Sequence, residues 1–238
     1  MTDGIVHVWL IHLDLPDPLM AGCAAVLDRT ERERAAALTH PAGRDRFVAA
    51  HGAVRLILSG HLGVPPGRIA WQRGPKGKPE LAGAGAGAGG VRVSISRSGR
   101  LAALAIAAGR PVGVDLQQFP AALDPCRMAE RFYPPDEARF VAAGRAGAQL
   151  GRFIRLWARK EACVKVGGGV LMQGLRLHVN GRGSVVVTDP GGPLPGPYLV
   201  QDVPAPQRFG AAVAVGGTAG YEVARHWWPA RVTASRRA

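Results

Sequence analysis

Asp115 and Gln117 lie at the end of a hydrophobic segment, VGVDLQ, that is predicted to be a strand. Residues two apart in a strand point to the same side, so the carboxylate and the amide would share one face. Oxygen ligands of this kind suit a hard cation, because Mg²⁺ takes one or two carboxylates together with phosphate oxygens of a substrate. An aspartate in this place also suits a plain turn, so both interpretations stay open here.

A second candidate is the segment from Trp157 to Lys165, which is predicted to be helical. Trp157, Glu161 and Lys165 follow one another at intervals of four residues and therefore share one helix face. The charged side chains of Glu161 and Lys165 could belong to an active site. Taken alone, they are also typical of an ordinary surface ion pair beside a packed tryptophan.

Several further residues suit the binding of phosphate. Ser94, Ser96 and Arg97 lie at a strand end, where hydroxyls, backbone amides and a guanidinium can hold an anion. Lys78, in a Gly-Lys-Pro loop, and Arg46, on an earlier helix, add two cations. Each feature is weak alone, because serine and glycine are also usual in turns.

The elements that must position these groups follow an order typical of an α+β fold. A stripe of apolar residues at helical spacing predicts a long helix from Pro41 to Leu62, which Gly63 ends. The chain does not alternate strand and helix in a βαβ series, which argues against a doubly wound parallel sheet. The other main predictions are a helix over 19–38, helices over 126–132, 136–143 and 149–166, and strands over 5–13, 91–96, 101–107, 112–116, 176–179, 184–188, 198–202, 211–215 and 221–226.

The charge of the chain favours an acidic partner. The 238 residues include 30 Lys and Arg against 17 Asp and Glu, a formal net charge of +13. Nucleic acid is one possible partner, but the sequence has no helix-turn-helix, zinc-finger or RRM signature. The three cysteines lack metal-binding spacing, and no apolar stretch predicts a membrane span. The N-terminus does not resemble a signal peptide, so we expect a cytoplasmic protein.

The order and spacing of these motifs together are far more specific than any one of them. Four motifs follow one another between about residues 44 and 170: a Gly-Lys-Pro loop, a Ser-x-Ser strand end, a Gly-Val-Asp strand and a Trp-x-x-Lys-Glu-x-x-x-Lys helix. This arrangement resembles the 4′-phosphopantetheinyl transferases of the Sfp type. The segment Arg131 to Glu137 and the pair Arg46 and Arg55 are also similar to segments of that family.

The resemblance implies transfer of the phosphopantetheine arm of coenzyme A to a serine of an acyl- or peptidyl-carrier protein, with release of adenosine 3′,5′-bisphosphate. Asp115 and Glu161 would hold Mg²⁺, with Gln117 as a third ligand. Glu161 would take the serine proton, and Lys165 would stabilise the departing bisphosphate. The residues expected at the nucleotide phosphates are Arg46, Lys78, Ser96 and Arg97, with Lys160 either another phosphate contact or a support.

Three departures from the family pattern bear on activity. Gln117 stands where the family usually has a second acid, Arg97 stands where it has a histidine, and Gly167-Gly168-Gly169 replaces Gly-Lys-Gly. Loss of one ligand can lower the rate while leaving binding intact. The main alternative is therefore a non-catalytic relative that binds coenzyme A or a carrier protein.

The resemblance also implies an architecture and a set of partners. We expect an α+β fold of two similar halves with pseudo-twofold symmetry, residues 1–110 and 111–228, followed by a disordered basic tail over 229–238. Coenzyme A would bind between the halves of a monomer. An acidic carrier protein would dock near Phe132 and Tyr133, and neither nucleic acid nor a membrane is expected as a partner.

Overall fold

The part of the chain that the structure describes folds into two four-stranded sheets, each packed against helices, and a short hairpin. The computed structural model describes residues 4–74, 77–83, 90–120, 122–145, 147–194 and 196–230. The strands are β1 (Ile5–His12), β2 (Trp71–Arg73), β3 (Pro79–Leu81), β4 (Val91–Ser98), β5 (Leu101–Ala108), β6 (Val112–Gln118), β7 (Val185–Val187), β8 (Tyr198–Asp202), β9 (Phe209–Gly216) and β10 (Glu222–Trp228). The helices are α1 (Asp17–Ala25), α2 (Arg29–Ala37), α3 (Pro41–Leu62), α4 (Pro125–Phe132), α5 (Pro135–Ala142), α6 (Ala148–Gly167) and α7 (Leu171–Gly174).

The first sheet has the strand order β10-β1-β5-β4, and the second has the order β6-β9-β8-β7. All neighbours pair antiparallel except β1 and β10, which run parallel. Strands of both sheets contribute to one central core. It includes Val8, Ala103 and Ala105 from the first sheet and Val114 from the second. Separate cores lie under α3 and around α6. The predicted α+β class is therefore confirmed.

Side chains of β4 join the two sheets along their shared boundary. The Ser94 hydroxyl accepts a hydrogen bond from the Val114 amide at 3.0 Å, and the Ser98 hydroxyl accepts one from the Gln118 amide at 3.0 Å. In each pair the two residues are 20 positions apart along the chain. Because this offset is constant, β4 and β6 lie side by side and run in the same direction. These serine hydroxyls satisfy backbone amides of β6 that would otherwise lack a strand partner on this side.

The last strand departs from the expected division of the chain. β10 falls in the segment assigned to the C-terminal half, yet it pairs with β1 over seven residue pairs, from Ile5 with Glu222 to Ile11 with Trp228. The N-terminal sheet is therefore completed by residues from the end of the fold. Division of the chain into two halves near residue 110 remains a prediction. β10 is an exception to it, because it follows the boundary in sequence but belongs to the sheet of the N-terminal half.

Two predicted elements differ from the structure. The helix expected over 19–38 is two helices, because Asp28 caps a new helix: its carboxylate accepts from the Glu31 amide, and Glu31 accepts from the Asp28 amide. The strand expected over 176–179 is not formed, although Leu177 and Val179 are buried as its alternation requires.

The long helix was predicted at its observed bounds, Pro41–Leu62, and Gly63 ends it in the left-handed conformation with φ 66°. Residues 231–238 of the predicted tail lie outside the described residues, and so do residues 84–89, a run of alternating alanine and glycine. Within the described part of the chain, no helix combines the length and the apolar character that a membrane span requires.

Candidate active site

An open cavity of about 550 Å³ between the two sheets brings together most of the residues that the sequence singled out. Strand β4, strand β6 and helix α6 supply most of its lining, and α3 adds one cation. The candidate residues that line it are Arg46, Ser96, Arg97, Asp115, Gln117, Glu161 and Lys165. Seven residues predicted from separate motifs therefore share one cavity.

Asp115 is the centre of a compact polar triangle at the floor of this cavity. Its Oδ1 accepts from the Ser96 hydroxyl at 2.9 Å and from Lys165 Nζ at 2.8 Å, and Lys165 Nζ also donates to Ser96 Oγ at 2.8 Å. The aspartate is 4% exposed. A strand from each sheet and helix α6 therefore meet at one carboxylate oxygen.

Glu161 faces the same cavity and carries an altered proton affinity. Burial raises the pKa of its carboxyl from 4.5 to about 7, and the charge of Asp115 adds to the increase while Lys165 opposes it. A carboxyl with a pKa near neutrality can both accept and release a proton at working pH.

The approach of α6 to β6 depends on Gly113. A Cβ at this position would lie 2.1 Å from the Ala162 carbonyl oxygen and 2.7 Å from the Val166 amide nitrogen. Only a residue without a side chain lets the helix backbone come this close. The glycine thereby brings Glu161 and Lys165, on α6, beside Asp115, on β6.

The acidic groups fit a bound cation. Among the residues that the structure describes, Asp115 Oδ2 is buried and has no hydrogen-bond partner, although an unpartnered buried carboxylate oxygen is costly. Glu161 and Gln117 line the same cavity, and the Gln117 amide nitrogen donates to the Gln118 carbonyl at 3.1 Å, which leaves its carbonyl oxygen as the atom it can offer. No group of three or more His, Cys, Asp and Glu side chains with metal-binding geometry occurs in the described ranges. A cation here would need the amide or substrate oxygens to complete its ligands.

Two guanidinium groups, those of Arg46 and Arg97, line the cavity. Arg46 pairs with Asp14 at 2.9 Å and remains partly exposed. Arg97 is exposed, and its guanidinium lies 5.5 Å from the centroid of the Phe47 ring, which holds it by a cation–π contact. Both groups are placed to meet an anion that enters the cavity.

Lys78 lies beside the cavity and is tied to backbone. Its Nζ donates to the carbonyl oxygens of Val112 and Lys165, at 2.7 Å each. Burial lowers the pKa of its ammonium from 10.5 to about 8. Lys78 thus connects the β2–β3 hairpin to both β6 and α6, and in this arrangement its ammonium is engaged with those carbonyls.

Lys160 does not reach the cavity, which corrects its assignment as a phosphate contact. Its side chain is fully buried and its Nζ lies 2.5 Å from Glu137 Oε2. Residues one apart on a helix point about 100° away from each other, so Lys160 enters the core while Glu161 faces the cleft. The structure supports the other expectation for this residue, a supporting role.

Sequence reasoning did not find the role of the serines as a link between the sheets. Ser96 was expected at a phosphate, and the structure places its hydroxyl on Asp115. The alternation of three serines at 94, 96 and 98 was a signal, because it puts all three hydroxyls on one side of β4.

Comparison with known proteins agrees with this site. The family model of the 4′-phosphopantetheinyl transferase superfamily matches residues 111–195, which include Asp115, Glu161 and Lys165. The 4′-phosphopantetheinyl transferase HetI of Nostoc sp. is 34% identical over 163 residues, which cover 68% of this chain and 68% of HetI. The chain therefore belongs to the 4′-phosphopantetheinyl transferase superfamily.

More distant relatives agree. A putative 4′-phosphopantetheinyl transferase of Synechocystis sp. is 29% identical over 71% of this chain and 67% of its own length. A 4′-phosphopantetheinyl transferase of Bacillus subtilis is 25% identical over 77% of this chain and 82% of its own length.

Proposed function

We propose that this protein transfers the 4′-phosphopantetheine group of coenzyme A to a serine hydroxyl of an acyl- or peptidyl-carrier protein in a Mg²⁺-dependent reaction. The other product is adenosine 3′,5′-bisphosphate. The observation that carries the proposal is the cavity in which the unpartnered Asp115 Oδ2 and Glu161 lie together with Lys165 and two guanidinium groups.

Asp115 and Glu161 would hold the Mg²⁺ ion, with the Gln117 carbonyl oxygen as a neutral ligand. When bound, the ion neutralises charge on the pyrophosphate oxygens of coenzyme A. The triangle with Ser96 and Lys165 keeps Asp115 Oδ1 engaged, so Oδ2 is the oxygen available to a cation.

Glu161 is the proposed general base. The serine oxygen of the carrier protein attacks the phosphorus next to the pantetheine, and its proton passes to the Glu161 carboxylate. The bond from that phosphorus to the bridging oxygen breaks, and the bridging oxygen leaves with the nucleotide. Lys165, whose ammonium lies at the floor of the cavity, stabilises the charge that develops on this leaving group.

Arg46 and Arg97 are the proposed contacts for the phosphates of coenzyme A, because their guanidinium groups can bind phosphate oxygens in pairs. Ser96 serves the reaction by holding Asp115. Lys78 can bind a phosphate only by leaving at least one of its two carbonyl partners, so we assign it first to the support of α6 and β6.

A second cavity, of about 300 Å³, fits the nucleoside of coenzyme A. It lies on the far side of β4 from the triangle, between α2, α3 and the β2–β3 hairpin. Trp71 and Ile95 offer apolar surface for a base, and Arg34 and Arg73 offer positive charge. Ile95 also lines the larger cavity, so the two are adjacent.

The charge of the chain supports an acidic carrier protein as the partner of this monomer, since a net charge of +13 would attract both coenzyme A and such a carrier. The docking position expected near Phe132 needs correction at one residue. Phe132 is half-buried beneath the Arg131 guanidinium, but Tyr133 is buried in the core and cannot contact a partner.

Mass spectrometry of apo carrier proteins tests the proposal. We expect a gain of one phosphopantetheine after incubation with the protein, coenzyme A and Mg²⁺, and no gain after addition of EDTA or after change of the acceptor serine to alanine. Glu161→Gln should abolish transfer while the fold is kept, because glutamine is also a good helix former. Glu33→Gln, on an exposed face of α2, is the matched control and should retain full activity.

The alternative of a non-catalytic relative gives a different result. A folded protein that binds coenzyme A and modifies no carrier in the panel would favour it. Near-normal turnover by Glu161→Gln would instead show that the base has been assigned wrongly.

A further inference from the structure

A buried ion pair lies on a different face of α6 from the one that lines the cavity. Lys160 Nζ is 2.5 Å from Glu137 Oε2, and both side chains are fully buried. The Lys160 ammonium also donates to the Leu177 carbonyl and lies 4.8 Å from the centroid of the Tyr133 ring. An ammonium without these partners would be very unfavourable in such a place.

The pair connects α6 to two other parts of the C-terminal half. Glu137, on α5, uses its other oxygen to accept from the amides of Val179 at 2.6 Å and Asn180 at 2.8 Å. Val179 is the last residue of the segment that was expected to be a strand, and Asn180 follows it. The carboxylate therefore supplies the partner that a neighbouring strand would have supplied, and it fixes this segment and α6 together.

The position of Lys160 in the sequence gives this connection a consequence at the cavity. Glu161 is the next residue, so any rotation of α6 about its axis moves both side chains by the same angle. A rotation of about 20° displaces a carboxylate about 6 Å from the helix axis by roughly 2 Å. A misplacement of that size is enough to cost a large factor in rate.

We propose that Glu137 and Lys160 are positioning residues for phosphopantetheinyl transfer, because they set the rotation of α6 and thereby the location of Glu161. Neither residue touches substrate. The inference rests on the role proposed above for Glu161, and it assigns a catalytic consequence to a pair that could otherwise be only a support of the fold.

The neutral double variant Glu137→Gln/Lys160→Met separates these two roles. It removes both charges and keeps a glutamine oxygen for the amides of Val179 and Asn180. Each single change leaves a buried charge unpaired and should lower both stability and activity. In the double variant the melting temperature should recover, since replacing both members of a buried pair is often neutral for stability. The kcat should stay at least about tenfold below the wild type, while the KM for coenzyme A changes less than about threefold.

Arg139→Ala is the matched control, because Arg139 lies on α5, the helix that carries Glu137, and its side chain is exposed. We expect it to keep the kcat of the wild type. Wild-type kcat in the double variant would overturn the inference. Should the double variant not fold, Glu137→Asp gives the same comparison, since it keeps both charges and shortens the reach: a lower kcat at unchanged KM supports the inference, and wild-type kcat overturns it.

Glu161→Gln, measured alongside, distinguishes this failure from failure of the proposed function. If Glu161→Gln is inactive and the double variant is fully active, only the positioning role is wrong. If Glu161→Gln itself is active, the role of the base is wrong.

Discussion

Asp115 is the residue on which the two sheets and α6 converge. Its Oδ1 is held by Ser96 of the first sheet and Lys165 of α6, while its own strand belongs to the second sheet. Its Oδ2 has no hydrogen-bond partner among the described residues. One oxygen thus fixes the position of the side chain, and the other remains available to a ligand.

Gln117→Glu is the change that tests the cation site most directly. It adds a third carboxylate to the cavity, so without Mg²⁺ the protein should be less stable, because like charges repel. With Mg²⁺ the melting temperature should rise more than it does in the wild type, and activity should be preserved or increased by up to roughly tenfold. Thermal melts with and without Mg²⁺, together with the carrier assay, provide the measurement.

The control for this charge is Gln118→Glu, one residue along the strand and on its opposite, exposed face. It should leave the Mg²⁺ effect as in the wild type. A large loss of activity in Gln117→Glu would mean that the amide itself has a function.

At this scale the sequence predicted much of the site. The four-residue spacing of Glu161 and Lys165 and the two-residue spacing of Asp115 and Gln117 correctly grouped these side chains. Spacing could not show that Lys160 points into the core, because a helical period fixes the angle between residues and not which of them faces the solvent.

Among the elements, the contact between β6 and α6 has the most influence on the site. At Gly113 the two backbones lie so near each other that a methyl group would overlap the Ala162 carbonyl. The distance between Asp115 and the two α6 charges therefore depends on a residue that has no functional group.

Gly113→Ala should force α6 away from β6. We expect a loss of stability of about 1–3 kcal/mol, as for other overpacked cores, and a larger relative loss of transfer activity. Denaturant unfolding and the carrier assay measure the two effects.

Gly60→Ala makes the matched control, because this helical glycine has open space around its Cβ position. That variant should be more stable by about 0.5–1 kcal/mol and fully active. Full activity in Gly113→Ala would show that the close approach is not required.

The helix predicted over 19–38 and the strand predicted over 176–179 show when a local sequence pattern is enough to predict an element. The break between α1 and α2 was readable, because Asp28 and Glu31 have the spacing of a capping box. The sequence could not predict that residues 176–179 form no strand. Alternation predicts burial on one face, but it does not show whether a neighbouring strand is present. Here Glu137 takes the place of that neighbour.

At the scale of the whole molecule, the parallel pair of β1 and β10 connects strands from the two predicted halves of the chain. Three histidines meet beside this pair. His7 Nδ1 and His226 Nε2 are 3.0 Å apart, and Trp9 Nε1 donates to His61 Nε2 at 3.1 Å. Burial lowers the pKa of all three imidazoles below the usual 6.5, and neighbouring histidines lower the pKa of His7 and His61 further. No local pattern in the sequence predicts this cluster, because its members are separated by up to 219 residues.

Stability should therefore depend on pH at this pair of strands. The unfolded chain binds protons on these histidines more readily than the folded protein, so their contribution is complete above about pH 6.5 and is lost as the pH falls below it. In His226→Gln the melting temperature should fall less between about pH 7.5 and 5.5 than in the wild type. Calorimetric melts over that range test this.

His178→Gln is the control, because His178 is exposed and its imidazole pairs with the exposed carboxylate of Asp136, at 3.3 Å, away from the cluster. It should keep the pH dependence of the wild type. The same slope in His226→Gln and the wild type would mean that the cluster does not sense pH.

The return of β10 to β1 also constrains how the chain can be made. A ribosome that has finished the first 110 residues has produced a sheet that still lacks one of its four strands, and the open side of β1 is an edge that other chains can pair with. The missing strand emerges only after the whole C-terminal sheet has been synthesised. The two sheets therefore cannot mature one after the other during translation, because the strand that completes the first sheet is synthesised after every strand of the second.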